Sequence, residues 1–589
     1  VRPRTIVPSA AAASLVLAVL SAAPVGAAPA GALRAAADPL PLEDLVTGDA
    51  VLDRLEDLQA IADAHGGSRA LETPGYEASA AYVEEALTAA GYTPERQYFT
   101  FEDLVVDDLS LVAAGVEPAD DLYAAEFSPA TPDDGLTGPV VQPVDDLRHG
   151  CTAADWDGVD ATGAVALVSR GACAFSVKVA NAMADGAAAV VLYNNVDEPL
   201  NPTLGTAGTW VPTVGISLSD GQAILAALEG GAPAEATYDY QFHVDEFETF
   251  NVLAQTPAGR ANNVVMAGAH LDGVEDGPGI NDNGSGSMAI LEVAVQLAAA
   301  AEEDGWPDNA VRFAWWGAEE VGLRGSTHYV DDLVANDPAA LDDIATYLNF
   351  DMVGSPNYVI GVYDADESTY PAPAGVPIPE GSAETEAVFT DYFDGIGQPW
   401  VDTEFSGRSD YQAFIANGVP ASGLFTGADG SKTAEEVELF GGTEGIYYDP
   451  NYHSPQDTID NVDPTALDIM SRAIGHAVAA LADDTFAVNG AGNPDLTGLT
   501  AEARCLGAKA HVAVRATNDE LVKADVRIAT DFGEKKFTQV VPGKNVYQSF
   551  NSRSASVEDG TVTVSAYTWN GGDPRWFAYE VPYEGVACG

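Results

Sequence analysis

Apolar residues recur at three- and four-residue spacing through 52–64 and again through 76–90, which predicts two amphipathic helices that each lay one face on a core. A strand is expected at 98–101. Beyond residue 260 the pattern changes to short continuous runs. Val264-Val265-Met266-Ala267-Gly268-Ala269 reads as a buried strand, and Val311-Arg312-Phe313-Ala314-Trp315-Trp316-Gly317 and 344–350 read as two more, rich in β-branched and aromatic residues. A long apolar helix starts near Ser285, and another at 465–481 closes this part of the chain. Strands and helices in this order predict an α/β region.

Polar residues stand where these strands end. His270-Leu271-Asp272 follows the first, and strand alternation puts His270 and Asp272 on one face, so that His270 can bind a metal while Asp272 orients its ring. Asp282 lies at the mouth of the long helix, inside Asn281-Asp282-Asn283-Gly284-Ser285-Gly286, and a carboxylate there can bridge two metals through its two oxygens. Glu319-Glu320 follows the second strand. Adjacent carboxylates suit a division of labour in which one binds metal and the other takes a proton from water. Asp351 ends the third strand, and Tyr452-His453 supplies a second imidazole beside a phenol. Two histidines and three acids complete the ligands for two metal ions, and mixed imidazole and carboxylate ligation suits zinc, with cobalt or manganese by substitution. The other six histidines lie outside the pattern and read as surface or core residues, and Trp315 and Trp316 as core filling.

Taken together these segments resemble peptidase family M28, the zinc aminopeptidases that include secreted bacterial leucine aminopeptidases and aminopeptidase Y. His-x-Asp, Asn-Asp-Asn-Gly-Ser-Gly, Gly-Ala-Glu-Glu-x-Gly-Leu-x-Gly-Ser, Asn-Phe-Asp-Met-Val-Gly and Tyr-His-Ser-Pro occur in family order. The resemblance implies a mixed-sheet zinc exopeptidase core of the phosphorylase/hydrolase-like type. It makes His270 and Asp351 ligands of one zinc, Glu320 and His453 ligands of the other, and Asp282 the bridge. Glu319 becomes the general base acting on a metal-bridged water, Tyr452 the donor to the oxyanion, and Arg408 in Gly407-Arg408-Ser409-Asp410-Tyr411 a substrate-side arginine. It also implies peptide substrates with a free N-terminus, Leu or another large apolar residue first. Some relatives have cysteines flanking the last histidine, whereas Asn451 and Gln456 stand there in this chain.

Between 131 and 238 lies a stretch of short strands and one helix whose Arg170-Gly171-Ala172-Cys173-Ala174-Phe175, Lys178 and Ala189-Val190-Val191-Leu192-Tyr193-Asn194 resemble a protease-associated (PA) domain, a lid or simply a structural insertion. After Asn489-Gly490-Ala491-Gly492-Asn493-Pro494, a composition suited to a linker, alternating segments at 510–516, 524–530, 538–541, 546–550 and 561–568 predict a small β-sandwich. Trp569, Trp576 and Tyr579 there suit either polysaccharide binding or packing. The expected division is a signal peptide at 1–30, peptidase segments at 39–130 and 245–485, a PA insertion at 131–244, a linker at 486–496 and a C-terminal module at 497–589.

The start of the chain carries Arg2 and Arg4, then an apolar run, then small residues near Val25 to Ala30, which reads as a secretory signal. No other stretch is expected to span a membrane, so a secreted, extracellular protein is anticipated. In an oxidising compartment the four cysteines are expected to pair, and proximity favours Cys151 with Cys173, leaving Cys505 with Cys588 to staple the last module.

The formal charge is −65, from 25 basic and 90 acidic residues, which argues against nucleic acid or an anionic membrane as partner. From 491 to 589 the balance is only −2, leaving −63 for the rest, a shift that marks a domain boundary. The acid surface reads as a solubility adaptation, with calcium sites a weaker reading. The enzyme is expected to act as a monomer. Rivals are a carboxypeptidase on the same scaffold, which would need basic groups for a terminal carboxylate, a glutaminyl cyclase, and a non-catalytic peptide-binding protein.

Overall fold

The computed structural model describes residues 41–119, 122–196, 200–373, 375–490, 496–519, 523–568 and 577–588. The expected signal peptide, the centre of the expected linker, and Trp569 and Trp576 lie outside the described residues. The chain forms two units, of which Thr100–Glu248 is one and the residues on either side make the other.

In the larger unit, four parallel strands lie side by side in the order Ala421–Phe425, Ile344–Phe350, Arg260–His270, Asn309–Trp316. Ala267 pairs with Leu348 on one side and Phe313 on the other. Antiparallel pairing appears only toward the edges: Gly361–Tyr363 runs against Ala421–Phe425, and residues 252–255 run against Asn309–Trp316, so the sheet is mixed. Strand alternation sorts these residues into two cores. Val265, Ala267, Val311, Phe313, Trp315, Leu348 and Phe350 face helices Gly48–Ala64, Gly286–Asp304 and Pro464–Asp483, while Met266, Ala314, Trp316 and Tyr347 face Tyr329 of helix Arg324–Asn336 and Phe414 of helix Tyr411–Ala416. With both faces covered, the central strands are almost wholly buried, which is why they read as unbroken apolar runs.

The smaller unit holds parallel strands Leu136–Val141, Val165–Ser169, Ala189–Tyr193 and Thr213–Ile216, with Tyr123–Ala124 antiparallel at one edge and helices Phe175–Ala184 and Leu218–Glu229. Cys151 and Cys173 are bonded, S–S 2.04 Å. Beneath that bond the buried Lys178 ammonium donates to the carbonyls of His149 at 2.9 Å and Gly171 at 2.6 Å. Its contacts make it a structural cation holding the loop.

The C-terminal module packs a three-stranded sheet, Leu496–Leu506, Lys509–Asn518 and Asn545–Asn551, on a four-stranded one, Gly533–Val540, Ala524–Thr530, Gly560–Thr568 and Phe577–Tyr583. Val512, Val514, Val526, Ile528, Val562 and Val564 meet in one core between them, a β-sandwich, and Cys505 is bonded to Cys588.

Three expectations change. The strand expected at 98–101 is Glu95–Ala113, because Glu102, Asp103, Asp107 and Asp108 interrupt its apolar pattern and hid its length. The expected linker at 486–496 opens with a helical turn, Phe486–Asn489, that buries Val488 in the peptidase core, and ends on the first strand residue, Leu496. Finally, Ile280–Glu303 does have the length and mean hydropathy, 1.3, of a membrane span. It is 78% buried inside the protein, so its apolarity reflects a helix surrounded by core.

Candidate metal centre

Parallel strands bring their C-terminal ends to one edge, and the polar groups of this protein gather there. His270 is the last residue of its strand, Asp351 follows Phe350, and Glu319 and Glu320 lie just past Trp316. Asp282 sits in the turn Ile280–Ser285 that leads into Gly286–Asp304. His453 comes from the loop before helix Pro464–Asp483.

His270 Nε2 lies 3.4 Å from Asp282 Oδ1 and 3.3 Å from Asp351 Oδ1. His453 Nε2 lies 3.1 Å from the second oxygen of Asp282 and 3.0 Å from Glu320 Oε2. Asp282 therefore turns one oxygen toward each of two imidazole and carboxylate pairs. Glu319 stands beside the first pair, Oε2 4.0 Å from His270 Nε2. Oε1 of Glu320 is buried and accepts no hydrogen bond. Histidine nitrogens and carboxylate oxygens converging at these separations, one oxygen lacking a donor, are a donor set that zinc fits.

The electrostatics favour a cation. Burial pushes Glu320 up to about 7, with the neighbouring Asp282 charge adding to it. Burial likewise raises Glu319 well above the usual carboxylate range, with help from Asp410, Asp351 and Glu320 and against the opposing pull of His270. Burial works against protonating His453, yet hydrogen bonds to Asp282 and Glu320 lift it to about 10. Crowded acids that hold both imidazoles so strongly form a site of high negative potential.

Asp272 meets the His270 ring chiefly through its backbone. His270 Nδ1 bonds the main-chain carbonyl of Asp272 at 3.0 Å, and its carboxylate is 3.8 Å away. The Asp272 carboxylate instead accepts the N–H groups of Glu319 at 3.2 Å and Glu320 at 3.3 Å, so it positions the two glutamates. A strand that turns immediately after His270 presents the carbonyl first.

Several supports carried no recognised signal in the sequence. Arg69, fully buried, donates Nε to the carbonyl of Pro278 at 2.7 Å and Nη1 to that of Leu271 at 2.5 Å, and also reaches Gly279. It ties down the segment between His270 and Asp282. Asp457 accepts the N–H of Asn281 at 2.9 Å and of Asp282 at 3.0 Å, and its place four residues after His453 was the one available hint. Ser409 donates to Asp351 Oδ2 at 2.6 Å and accepts from Asn349. The buried Asp410 is a further neighbour of His270 and Asp351, and burial pushes it up to about 7. A separate carboxylate group, Asp364, Glu386 and Asp402, brings oxygens within 4.8 Å of one another. There Asp364 accepts the N–H groups of Ser368, Thr369 and Tyr370, and Glu386 those of Ala365 and Asp366.

A cleft of about 370 Å³ opens over the cluster. Tyr452 lines it, its ring stacked on His453 at 3.8 Å, and burial raises its hydroxyl far above the usual range, so the phenol keeps its proton. Arg408 lines the same cleft, 65% exposed, with Nη1 3.5 Å from Asp429. Met352, Val359, Tyr363 and Phe425 give it an apolar wall.

Comparison with known proteins agrees with this geometry. The profile of peptidase family M28 matches residues 251–478, and that of the PA domain matches 136–224. The chain is 43% identical over 462 residues to a probable lipoprotein aminopeptidase, LpqL, of Mycobacterium tuberculosis, spanning 77% of this chain and 89% of that one. It is 40% identical over 445 residues to leucine aminopeptidase 2 of Trichophyton tonsurans, 75% of this chain and 84% of the relative. Among solved structures, a zinc aminopeptidase from Bacillus subtilis superposes with a TM-score of 0.55 at 27% identity, covering 74% of this chain and 95% of that one. The edge of the parallel strands, its paired imidazoles and acids, and these likenesses lead to one conclusion: the chain belongs to peptidase family M28 and carries a PA domain.

Proposed function

We propose that this metallo-aminopeptidase is a secreted, monomeric dinuclear zinc enzyme that removes Leu or another large apolar residue from the free N-terminus of peptides. The reading is carried by Asp282, whose two oxygens face two separate pairs, His270 with Asp351 and His453 with Glu320. Those five side chains would hold the two ions, which when bound polarise the scissile carbonyl and make water a nucleophile at neutral pH.

Glu319 stands beside the ligands without being needed as one, and its burial gives its carboxyl a raised proton affinity. It takes a proton from the attacking water and returns it to the leaving amine. Tyr452, held protonated and oriented by its stack on His453, donates to the carbonyl oxygen as negative charge develops there. The apolar wall of Met352, Val359 and Phe425 receives the first side chain. The acid-rich surroundings favour a free ammonium over a terminal carboxylate, and Arg408 is the one Lys or Arg among the described residues that line the cleft. Likeness to a lipoprotein aminopeptidase supports a place outside the cytoplasm.

The test is hydrolysis of Leu-p-nitroanilide, its N-acetylated counterpart, and an N-blocked dipeptide ending in glutamate, before and after chelation and zinc return. Zinc-dependent cleavage of the free-amine substrate alone is expected. Cleavage of the blocked dipeptide would instead identify a carboxypeptidase, and inactivity of the zinc-loaded protein on every substrate would indicate a peptide-binding role.

A further inference from the structure

We propose that Trp316, Tyr347 and Asn349 are positioning residues that act through Ser409 to hold one oxygen of Asp351 and leave only the other to face the metal centre. This rests on the two-ion reading above. Asp351 Oδ2 accepts the Ser409 hydroxyl at 2.6 Å, while Oδ1 lies 3.3 Å from His270 Nε2. Behind Ser409 the bonds continue away from the site. The Asn349 amide donates to Ser409 Oγ at 2.8 Å, the Tyr347 hydroxyl donates to Asn349 Oδ1 at 3.1 Å, and Trp316 Nε1 donates to the Tyr347 oxygen at 2.8 Å. Trp316, Tyr347, Asn349 and Ser409 are all buried.

The two ends of this relay fix its direction. An indole N–H can only donate, and an ionised carboxylate can only accept. Tyr347 accepts from the indole and therefore turns its own proton to Asn349, which sets that amide with its oxygen toward Tyr347 and its nitrogen toward Ser409. Ser409 accepts from the nitrogen and keeps its proton for Asp351. Reversing the amide would draw the Ser409 proton away from Asp351 and face a buried N–H toward the Tyr347 hydroxyl proton, which is costly where no water can compensate. Burial raises the Tyr347 hydroxyl far above its usual range, so it retains the proton that it donates.

The fold makes room for these bonds. Strand alternation puts Tyr347 and Asn349 on one face of Ile344–Phe350, and Trp316 ends the strand Asn309–Trp316, with Arg260–His270 lying between the two. The bond from Trp316 to Tyr347 therefore crosses over the middle strand. It does so at Gly268, where a methyl group would collide with both the Tyr347 hydroxyl and the Trp316 nitrogen. The Tyr347 ring is held flat on Phe414, centroids 3.9 Å apart. One run of bonds thus joins the strand end before Glu319 and Glu320 to the strand end before Asp351, passing over the strand that delivers His270. With Oδ2 held, Asp351 has Oδ1 alone to give an ion and cannot turn to present both oxygens.

The experiment titrates the zinc-loaded protein with a competing chelator, following the release of each ion, in the wild type, Tyr347→Phe, Ser409→Ala and the double variant. Tyr347→Phe keeps the ring and its stack, and Asn349→Ala cuts the same relay one step nearer the site should the first variant not fold. In Ser409→Ala one of the two ions is expected to be held about 10- to 100-fold more weakly and the other to be unaffected. Tyr347→Phe is expected to weaken the same ion by about tenfold, the lower end of that range. The double variant should match Ser409→Ala within about twofold, because the relay reaches Asp351 only through that hydroxyl. Affinities unchanged in both Tyr347→Phe and Asn349→Ala overturn the relay. So does a Tyr347→Phe loss that adds in full to that of Ser409→Ala or falls equally on both ions, as damage to packing would. A wild type that binds fewer than two zinc ions removes the dinuclear reading itself, and the relay's role with it.

Discussion

The carboxylate of Asp457 accepts the backbone N–H of Asp282 at 3.0 Å, and the backbone N–H of Ile280 bonds the Asp457 carbonyl at 3.1 Å. The loop that carries His453 is thus fastened to the turn that carries Asp282, and the two positions that must face each other are set by one residue that touches neither imidazole.

Asp457→Asn keeps one carbonyl acceptor and loses the other, so the bridge should lose its orientation while the fold persists. Zinc affinity is expected to fall about 10- to 100-fold, the range typical for removing a group that orients a ligand. Titration with a competing chelator measures it, and an unchanged affinity would show that the turn holds itself.

Glu319→Ala and His453→Ala should separate proton transfer from metal binding. The first is expected to keep both zinc ions while kcat falls by about 10²–10⁴ or more, and the second to lose metal as well. Elemental analysis beside Leu-p-nitroanilide assays reads both, and wild-type turnover in Glu319→Ala would sink the assignment of the base.

Away from the candidate metal centre, burial pushes Glu386 up to about 7, and the charges of Asp366 and Asp364 add to the rise against the N–H groups of Ala365 and Asp366. A carboxyl raised in the folded state binds more protons folded than unfolded between its usual value near 4.5 and 7. Its contribution is therefore complete below 4.5 and is lost as pH rises through 7. Relative to Glu386→Gln, the wild-type melting temperature should decline from pH 4.5 to 7, and parallel curves for the two proteins would refute the assignment.

The bond between Cys505 and Cys588 closes a loop with a sequence separation of 83, which constrains the unfolded module by about 4.5 kcal/mol in the chain-entropy view. Replacing both by Ser should lower the unfolding temperature of the β-sandwich in calorimetry, while the peptidase transition and the Leu-p-nitroanilide rate hold. A joint loss of both transitions would mean that the module and the peptidase unfold as one.

Much of this was legible along the chain because it is local. The buried strands declared themselves as apolar runs, and His270, Glu319, Glu320 and Asp351 stand at or just past strand ends and Asp282 at a helix mouth, so these members of the cluster, with His453 beside Tyr452, could be named as candidates from sequence. Cysteine spacing pointed to the two pairs that are formed. Strand Glu95–Ala113 was read too short because acidic residues interrupt its apolar pattern, and helix Ile280–Glu303 looks like a membrane span to any rule that counts apolar residues without knowing what surrounds them.

What sequence determined by itself was the inventory: which donor atoms the chain carries, in what order, and the strand ends that deliver them. The tertiary structure decided how they face one another. Asn281 and Asp457 are 176 positions apart, and Arg69 reaches carbonyls more than 200 positions away, so nothing in a local pattern records either bond. Asp272 and its glutamates show the same limit at short range. Alternation placed Asp272 on the side of His270, but the turn that follows sent its carbonyl to the ring and its carboxylate to the Glu319 and Glu320 N–H groups. Hydrogen-bond direction depends on backbone geometry fixed only when distant strands pair, and the bonds that run from Trp316 to Asp351, drawn from two strands and a loop, exist only once they have.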